Sequence, residues 1–327
     1  MGDPCGVGPE VTVKAISSIL DDAGAAFVVC GAPEVMSAAV ERYGSKRIET
    51  LWSKVPHAGL KGPFPDASIV LVPSGPLSFE NLAPPGKPGK AEGNSAMLAM
   101  QSGLDLVKSG ACNALVTAPV SKASLMEAGF SHPGHTGWLE AETAKKAVMV
   151  MVAGRLRVAA LTAHIPLSSV KSKVTGKAIM ETVIVLDRDL RERFGIKRPR
   201  IAVAGLNPHA GEEGRLGNEE RKIIAPTIKK LVTMGMDVRG PLPADTMFST
   251  SARKTFDAAL CMYHDQAMLP VKTLAMKKAV NVTFGLPIIR TSPAHGTAPD
   301  IAWQGKADHK SMVEAIRLAA KMARRHA

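Results

Sequence analysis

Three histidines stand directly behind apolar runs. His164 closes "RVAALTAH", His209 follows "RIAVAGLNPH", and His264 closes "AALCMYH". Each run is short and apolar and ends in turn or polar residues, the signature of a buried strand. Open parallel sheets bind ligands outside the carboxyl ends of their strands. Residues 45 and 55 positions apart can therefore converge on one edge. Three neutral imidazoles make a ligand set for a divalent ion such as zinc, with a position left open for substrate. In the competing reading each histidine caps a loop or satisfies a backbone group, and no local motif such as H-E-x-x-H decides between them. Two carboxylates lie close by. Asp265 follows His264 directly, and Asp245 sits in "PLPADTMF". Either could orient an imidazole or move a proton; each also fits a helix cap or a surface carboxylate.

A second set is suited to an anion. In "GHTGWLEAET", His135 and Thr136 stand between a glycine and a helical run, so Thr136 reads as a helix N-cap. Backbone N–H groups at such a start attract phosphate or carboxylate. Lys272, Asn281 and Arg290 follow in "KTLAMKKAVNVTFGLPIIR", read as a loop and a strand ending in a basic residue. Arginine grips phosphate through two parallel bonds, and lysine acts as a point charge or proton donor. Each of the three taken alone also fits an ordinary surface position. The N-terminal "GDPCGVGPE" fails as a dinucleotide fingerprint. Val11 stands where the third glycine belongs, and no strand precedes the motif. Pro9 reads instead as the first residue of a helix whose buried face carries Val13, Ile16 and Leu20.

These residues need a scaffold. "AAFVVCG", "SIVLVPS" and "NALVTAPV" join the three histidine-bearing runs as strands that are apolar throughout. Helical periods lie between several of them: Met97, Met100, Leu104 and Val107; Ile179, Val183, Leu186, Leu190 and Phe194; Met312, Ile316 and Ala319. Strands without alternation belong to a sheet covered on both faces, which makes the fold class α/β with largely parallel, doubly wound sheets. "LAPPGKPGKAEGN" reads as a surface loop.

At 327 residues the chain suits one large or two intimate domains. Aromatic residues make up only 4%, so aliphatic residues and methionine must build the core. No basic and apolar secretory leader is legible, and "AVMVMVAG" is far short of the roughly 20 residues that span a bilayer. A cytoplasmic protein without a membrane partner is expected. Cys5, Cys30, Cys112 and Cys261 show no C-x-x-C spacing and read as reduced thiols. The net charge of +12 comes from scattered Lys and Arg with no interleaved aromatic residues. That argues against nucleic acid as a partner and favours a small anionic substrate.

Taken together, the motifs resemble the 4-hydroxythreonine-4-phosphate dehydrogenase (PdxA) family of pyridoxine biosynthesis, over essentially the whole length. The resemblance is carried by "GDPCGVGPE", "VTAPVSK", "GHTGWLEAET", "LTAHIPL", "GLNPHAGEEGRLGNEE", "GPLPADTMF", "MYHDQAMLPVKTL" and "VNVTFGLPIIRTSPAHGTAPDIAWQGKAD". It implies a two-domain fold like that of isocitrate and isopropylmalate dehydrogenases. Residues 1–125 with 285–327 would form a nucleotide-side domain, and 126–284 a domain for metal binding and dimerisation. The resemblance makes His164, His209 and His264 the ligands of one divalent metal per subunit, zinc, magnesium or cobalt. It makes His135, Thr136, Lys272, Asn281 and Arg290 the substrate-binding residues. It places NAD or NADP near His295, Gly296, Thr297 and Asp300, and the active site at a homodimer interface. The implied reaction converts 4-phosphooxy-L-threonine to 3-amino-2-oxopropyl phosphate, with Lys272, Asp245 or Asp265 as candidate proton carriers or orienting groups. Relatives acting on D-threonate or D-erythronate 4-phosphate form the nearest alternative; a nonenzymatic basic binding protein is the alternative of another class. The family pattern also carries a short strand ahead of the "GDP" block, which Met1 would end. An aromatic Trp138 follows Gly137 where glutamate is usual, and Trp303-Gln304 stands where small residues are usual.

Overall fold

The computed structural model describes residues 1–56, 60, 62, 64–87, 89–132 and 134–326. Its strands are β1 (Phe27–Gly31), β2 (Trp52–Lys54), β3 (Ile69–Pro73), β4 (Ala114–Val116), β5 (Val148–Ala153), β6 (Leu156–Ala160), β7 (Arg200–Ala204), β8 (Asp237–Leu242), β9 (Ala258–Cys261), β10 (Val280–Phe284) and β11 (Ile289–Pro293). The chain divides into two compact units, Met1–Trp138 with Ile288–Arg324, and Leu139–Pro287 with Arg325–Ala327. The first crossing falls after Trp138 rather than after residue 125. The helix Lys122–Glu127 stays with the first unit because its backbone touches the helix Lys90–Lys108: a Cβ at Gly93 would overlap the Ser124 carbonyl.

In the first unit β3 lies between β1 and β2, all parallel, with Val29 opposite Leu71 and Ser53 opposite Val70. A second parallel pair joins β11 to β4, Arg290 opposite Leu115. The core beneath the first sheet gathers Ile69 and Leu71 with Val13, Ile16 and Ile19 of the helix Gly8–Ile19 and Met312 and Ile316 of the helix Lys310–His326. Pro9 is the second residue of its helix, not the first. The segment from Lys90 that reads as loop is already helix, because Gly93 is needed at the helix contact.

In the second unit six strands run in the order β10-β5-β6-β9-β7-β8. Only β5 runs against its neighbours; β6, β9, β7 and β8 are mutually parallel. Ile179, Val183, Leu186 and Leu190 of the helix Gly176–Glu192 are all fully buried, so its apolar stripe is a core face. The α/β class with largely parallel strands is what the structure holds. Among the described residues no helix is long and apolar enough to cross a membrane.

Candidate active site

Four neighbouring parallel strands lead into the residues able to do chemistry. In the order β6-β9-β7-β8, their carboxyl ends run toward His164, His264, His209 and Asp245. The strands stop sooner than the apolar runs suggest, so each of these residues stands in the loop, turn or helix start beyond. Pairing fades in steps rather than at once. Leu161 N still donates to Cys261 O at 2.8 Å, and Thr162 Oγ1 to Met262 O at 2.7 Å. Pro166 and Pro208 then follow, and proline has no N–H for a ladder.

Those last bonds hold two of the histidines together. The His164 and His264 ring centroids are 5.6 Å apart, in keeping with adjacent strands about 4.8 Å apart. His264 opens the helix His264–Ala275, and its Nδ1 lies 2.7 Å from Asp265 Oδ1. That contact fixes the ring and reserves Nε2 for a ligand. Gln266, which carries no sequence signal, links two strand exits. Its Oε1 accepts from Met262 N at 2.7 Å, and its Nε2 donates to Gly205 O at 2.8 Å.

His209 lies exposed in the turn Pro208–Gly214, where His209, Ala210, Gly211, Glu212 and Glu213 have φ of 51°, 52°, 81°, 42° and 57°. Each left-handed L-residue costs about 1–2 kcal/mol, so the turn needs support. Glu220 provides it. Its carboxylate is 4% exposed and accepts Leu206 N at 2.8 Å, Asn207 N at 2.7 Å and Asn207 Nδ2 at 2.9 Å. Neighbouring Glu219 accepts Asn207 Nδ2 at 2.8 Å and pairs with Lys171 at 3.0 Å; these bonds hold its carboxyl down to about 2. Glu220→Ala should cost about 1–3 kcal/mol of stability, since it strands part-buried donors; a urea midpoint within error of the parent would show the turn to be held otherwise.

Within one chain, and among the described residues, no three His, Cys, Asp or Glu groups close on a metal position. His164 and His264 come together and His209 stays apart. Two adjacent imidazoles, one of them braced by a carboxylate, are a donor set that suits a divalent ion, with room for ligands from elsewhere.

The anion-suited residues of the first unit lie deeper. Arg290 on β11 is 2% exposed, and its Nε and Nη2 donate to Thr117 Oγ1 at 3.2 and 2.6 Å. Burial pushes its guanidinium down to about 10. A bound anion would relieve that penalty. His135 is the first residue of the helix His135–Thr143, which makes Thr136 its second residue and not its cap; Gly134 precedes it and accepts from Trp138 N. Burial, then the Arg290 charge, then the N-terminal ammonium hold His135 well below the ordinary histidine value. Its Nε2 is shut off from water and has no hydrogen-bond partner. A neutral imidazole beside a buried guanidinium, with an open polar atom, suits a phosphorylated hydroxy compound.

The lowered His135 value has a consequence for stability. The folded state binds the proton less readily than the unfolded chain, so the contribution is complete above the unfolded value near 6.5 and is lost as pH falls below it. Urea midpoints should therefore fall between about pH 7 and pH 5, and His135→Asn should flatten that slope. Equal slopes in parent and variant would contradict the assignment.

His295 follows β11, with Nδ1 3.0 Å from Gly296 O and a buried Nε2 without partner. A Cβ at Gly296 would meet nothing within 4 Å, and Asp300 is exposed. Thr297 O accepts from Val7 N at 2.9 Å. An orphaned ring nitrogen beside open backbone fits the hydroxyls of a ribose, and so fits a dinucleotide.

Three candidates stand apart. Lys272 lies on the helix His264–Ala275, not in a loop; it is exposed and about 12 Å along the axis from His264. Asn281 lies inside β10, opposite Met151, whose other neighbour is Val158, and so level with the middle of β6 rather than its end. Its Oδ1 is nevertheless buried without a partner. Asp245 is exposed in the turn beyond β8. Gln266, Glu220 and Thr117 are the residues that sequence reasoning misses.

A largely parallel sheet whose carboxyl edge carries imidazoles, joined in the chain to a buried arginine, is the scaffold of an α/β enzyme. The family model described as pyridoxal phosphate biosynthetic protein PdxA matches residues 23–319. The 4-hydroxythreonine-4-phosphate dehydrogenase of Bradyrhizobium diazoefficiens is 41% identical over 329 residues, covering 99% of this chain and 95% of its own. That of Roseobacter denitrificans is 44% identical over 329 residues, covering 99% and 96%. The crystal structure of the Klebsiella pneumoniae 4-hydroxythreonine-4-phosphate dehydrogenase matches with a TM-score of 0.85 at 38% identity, covering 99% of this chain and 96% of that one. A terephthalate 1,2-cis-dihydrodiol dehydrogenase from Burkholderia xenovorans matches with a TM-score of 0.66 at 26% identity, covering 98% and 96%. The chain belongs to the PdxA family.

Proposed function

We propose that this protein is a cytoplasmic oxidoreductase of pyridoxal phosphate biosynthesis that oxidises and decarboxylates 4-phosphooxy-L-threonine. The observation that carries the reading is full-length identity of 41–44% with 4-hydroxythreonine-4-phosphate dehydrogenases. The buried, unpartnered nitrogens of His135 and His295 and the buried guanidinium of Arg290 support it.

In this reading Arg290 and His135 hold the substrate phosphate and neighbouring oxygens, with Thr136, Lys272 and Asn281 as further contacts. Thr117 keeps the guanidinium in one orientation, so less freedom is lost on binding. Lys272, or Asp245 or Asp265 through water, takes the proton of the C3 hydroxyl as its hydride leaves. The resulting β-keto acid loses carbon dioxide to give 3-amino-2-oxopropyl phosphate. A divalent ion such as zinc, magnesium or cobalt, held by His164, His264 and His209, would supply Lewis acidity toward the hydroxyl oxygen. NAD or NADP, held near His295, Gly296, Thr297 and Asp300, would supply the hydride acceptor. Because His209 stands apart from the other two, the ligand set is proposed to be completed across a homodimer. Holding C3 in one orientation supplies the entropic part of the rate.

The test is turnover of 4-phosphooxy-L-threonine and of phosphorylated D-threonate and D-erythronate, each with NAD and NADP. Release of carbon dioxide and reduced cofactor with the first compound is expected. Turnover of a phosphorylated sugar acid alone would overturn the substrate assignment.

A further inference from the structure

Trp303 occupies a backbone conformation ill suited to it. Its φ is 61°, left-handed, which glycine adopts freely and a bulky L-residue does not. Its side chain supplies what holds it there. The indole Nε1 donates to Pro4 O at 2.9 Å. The ring packs edge-on against Phe79 at 4.8 Å and tilted against Tyr43 at 6.0 Å. The Arg42 guanidinium lies over both Phe79, at 4.6 Å, and Trp303, at 5.7 Å.

The same short stretch of chain is tied to the N-terminal segment by further bonds, among them a contact of Lys14 Nζ with Ala307 O at 3.4 Å. Val7 N donates to Thr297 O at 2.9 Å. The buried Glu10 accepts Gly305 N at 3.2 Å and Ala307 N at 2.9 Å, and Lys14 Nζ donates to Gly305 O at 2.6 Å. Gln304 Nε2 closes the stretch on itself through Asp300 O at 2.7 Å. The loop bearing His295, Gly296, Thr297 and Asp300 is thus pinned at Thr297 and again from Trp303 to Ala307. Glu10 and Lys14 hold the backbone at 305 and 307. Nearer Asp300, the buried Ala302 with Ile301 and Ala298 packs on the core, and Trp303 adds the hydrogen bond to Pro4.

We infer that Trp303 is a positioning residue for the dinucleotide: an aromatic latch that holds the 295–300 loop against Pro4 and thereby sets cofactor affinity without touching the cofactor. This inference rests on the reading of His295–Asp300 as the cofactor loop. Trp303→Gly opposes two effects. Glycine relieves the left-handed backbone, while loss of the ring frees the loop. Folding should therefore change little, and the fraction of loops poised to bind should fall.

The experiment measures dinucleotide affinity by calorimetry, hydrogen exchange at the Val7, Gly305 and Ala307 amides, and melting, for Trp303→Gly, Trp303→Phe and Asp300→Ala. Expected for Trp303→Gly is a roughly tenfold weaker dinucleotide Kd, following the fall in competent population. The KM for the phosphorylated substrate should hold, as should kcat at saturating cofactor. Trp303→Phe keeps the ring but not the N–H and should lose about threefold. Faster exchange at Gly305 and Ala307 should accompany the loss. An unchanged Kd in Trp303→Gly, with or without a lower melting point, beside a weakened Asp300→Ala would overturn the latch and leave the loop reading standing. Unchanged affinity in both would overturn the loop reading and the latch with it. If Trp303→Gly does not fold, Trp303→Phe decides: parent affinity overturns the latch.

Discussion

Arg290→Ala should raise KM for the phosphorylated substrate by about 30-fold or more, the equivalent of roughly 2–5 kcal/mol for a charged contact left unmade in a buried site. The guanidinium is 2% exposed, and Thr117 holds two of its nitrogens. Burial has already brought it down to about 10, so the cost of desolvating it is met on folding rather than on binding. An arriving phosphate then gains a fixed, doubly donating partner. Folding should suffer less than binding. The cavity left by truncation costs about 2–4 kcal/mol, and removing a buried charge returns part of that. A second readout is independent of turnover. Arg290 is the second cause of the lowered His135 value, after burial. Its removal should therefore shrink, without abolishing, the acid-side loss of stability that His135 brings. Arg290→Lys keeps a charge but not the fork, and should fall between parent and alanine. Parent values of KM and kcat in Arg290→Ala would take Arg290 out of the site.

Several strands with uninterrupted apolar runs can be read from the sequence, though β5, "VMVMVA", reads only as an apolar stretch too short to span a bilayer. β1 and β3 read plainly from "FVVCG" and "IVLVP". β8 did not, because "DVRGPL" carries a glycine and a proline where a pattern should run, and only its parallel pairing to β7 makes it a strand. β2 is three residues long and takes its shape from β3. The histidines were legible because turn signals follow apolar runs, a local property. Their support was not. Gln266 reaches Gly205 across 61 positions, and Glu220 reaches Leu206 across 14. A glutamine or glutamate that bonds to distant backbone looks in sequence like any surface residue. The same holds for Arg290: its burial depends on β4 and Thr117 lying beside β11, a pairing across 173 positions.

His264→Ala should lower activity by orders of magnitude while leaving the fold close to the parent. The imidazole is about one-third exposed and packs beside His164 at 5.6 Å, so little apolar burial is lost on truncation. Its proposed work is to give one of the metal's ligands, and that ion would supply Lewis acidity toward the substrate. Metal content should fall with activity in His264→Ala, His164→Ala and His209→Ala alike. The triple variant should be little worse than any single one, because residues that act as a unit give non-additive losses. Asp265→Asn separates bracing from ligation. It loosens the contact at 2.7 Å without removing the imidazole, and should cost about 10–100-fold in metal affinity. His209 distinguishes the two ways of completing the ligand set. If a partner subunit brings it, mixed dimers of His209→Ala with His264→Ala, both lesions then meeting in one of the two sites, should keep one intact site and about half the metal. If one chain brought all three, every site in the mixed dimer would be broken. A histidine serving only as a cap predicts a different pattern: a stability loss of about 0.5–2 kcal/mol with turnover per folded molecule retained. Full metal occupancy and parent turnover in any single variant would strike that histidine from the site.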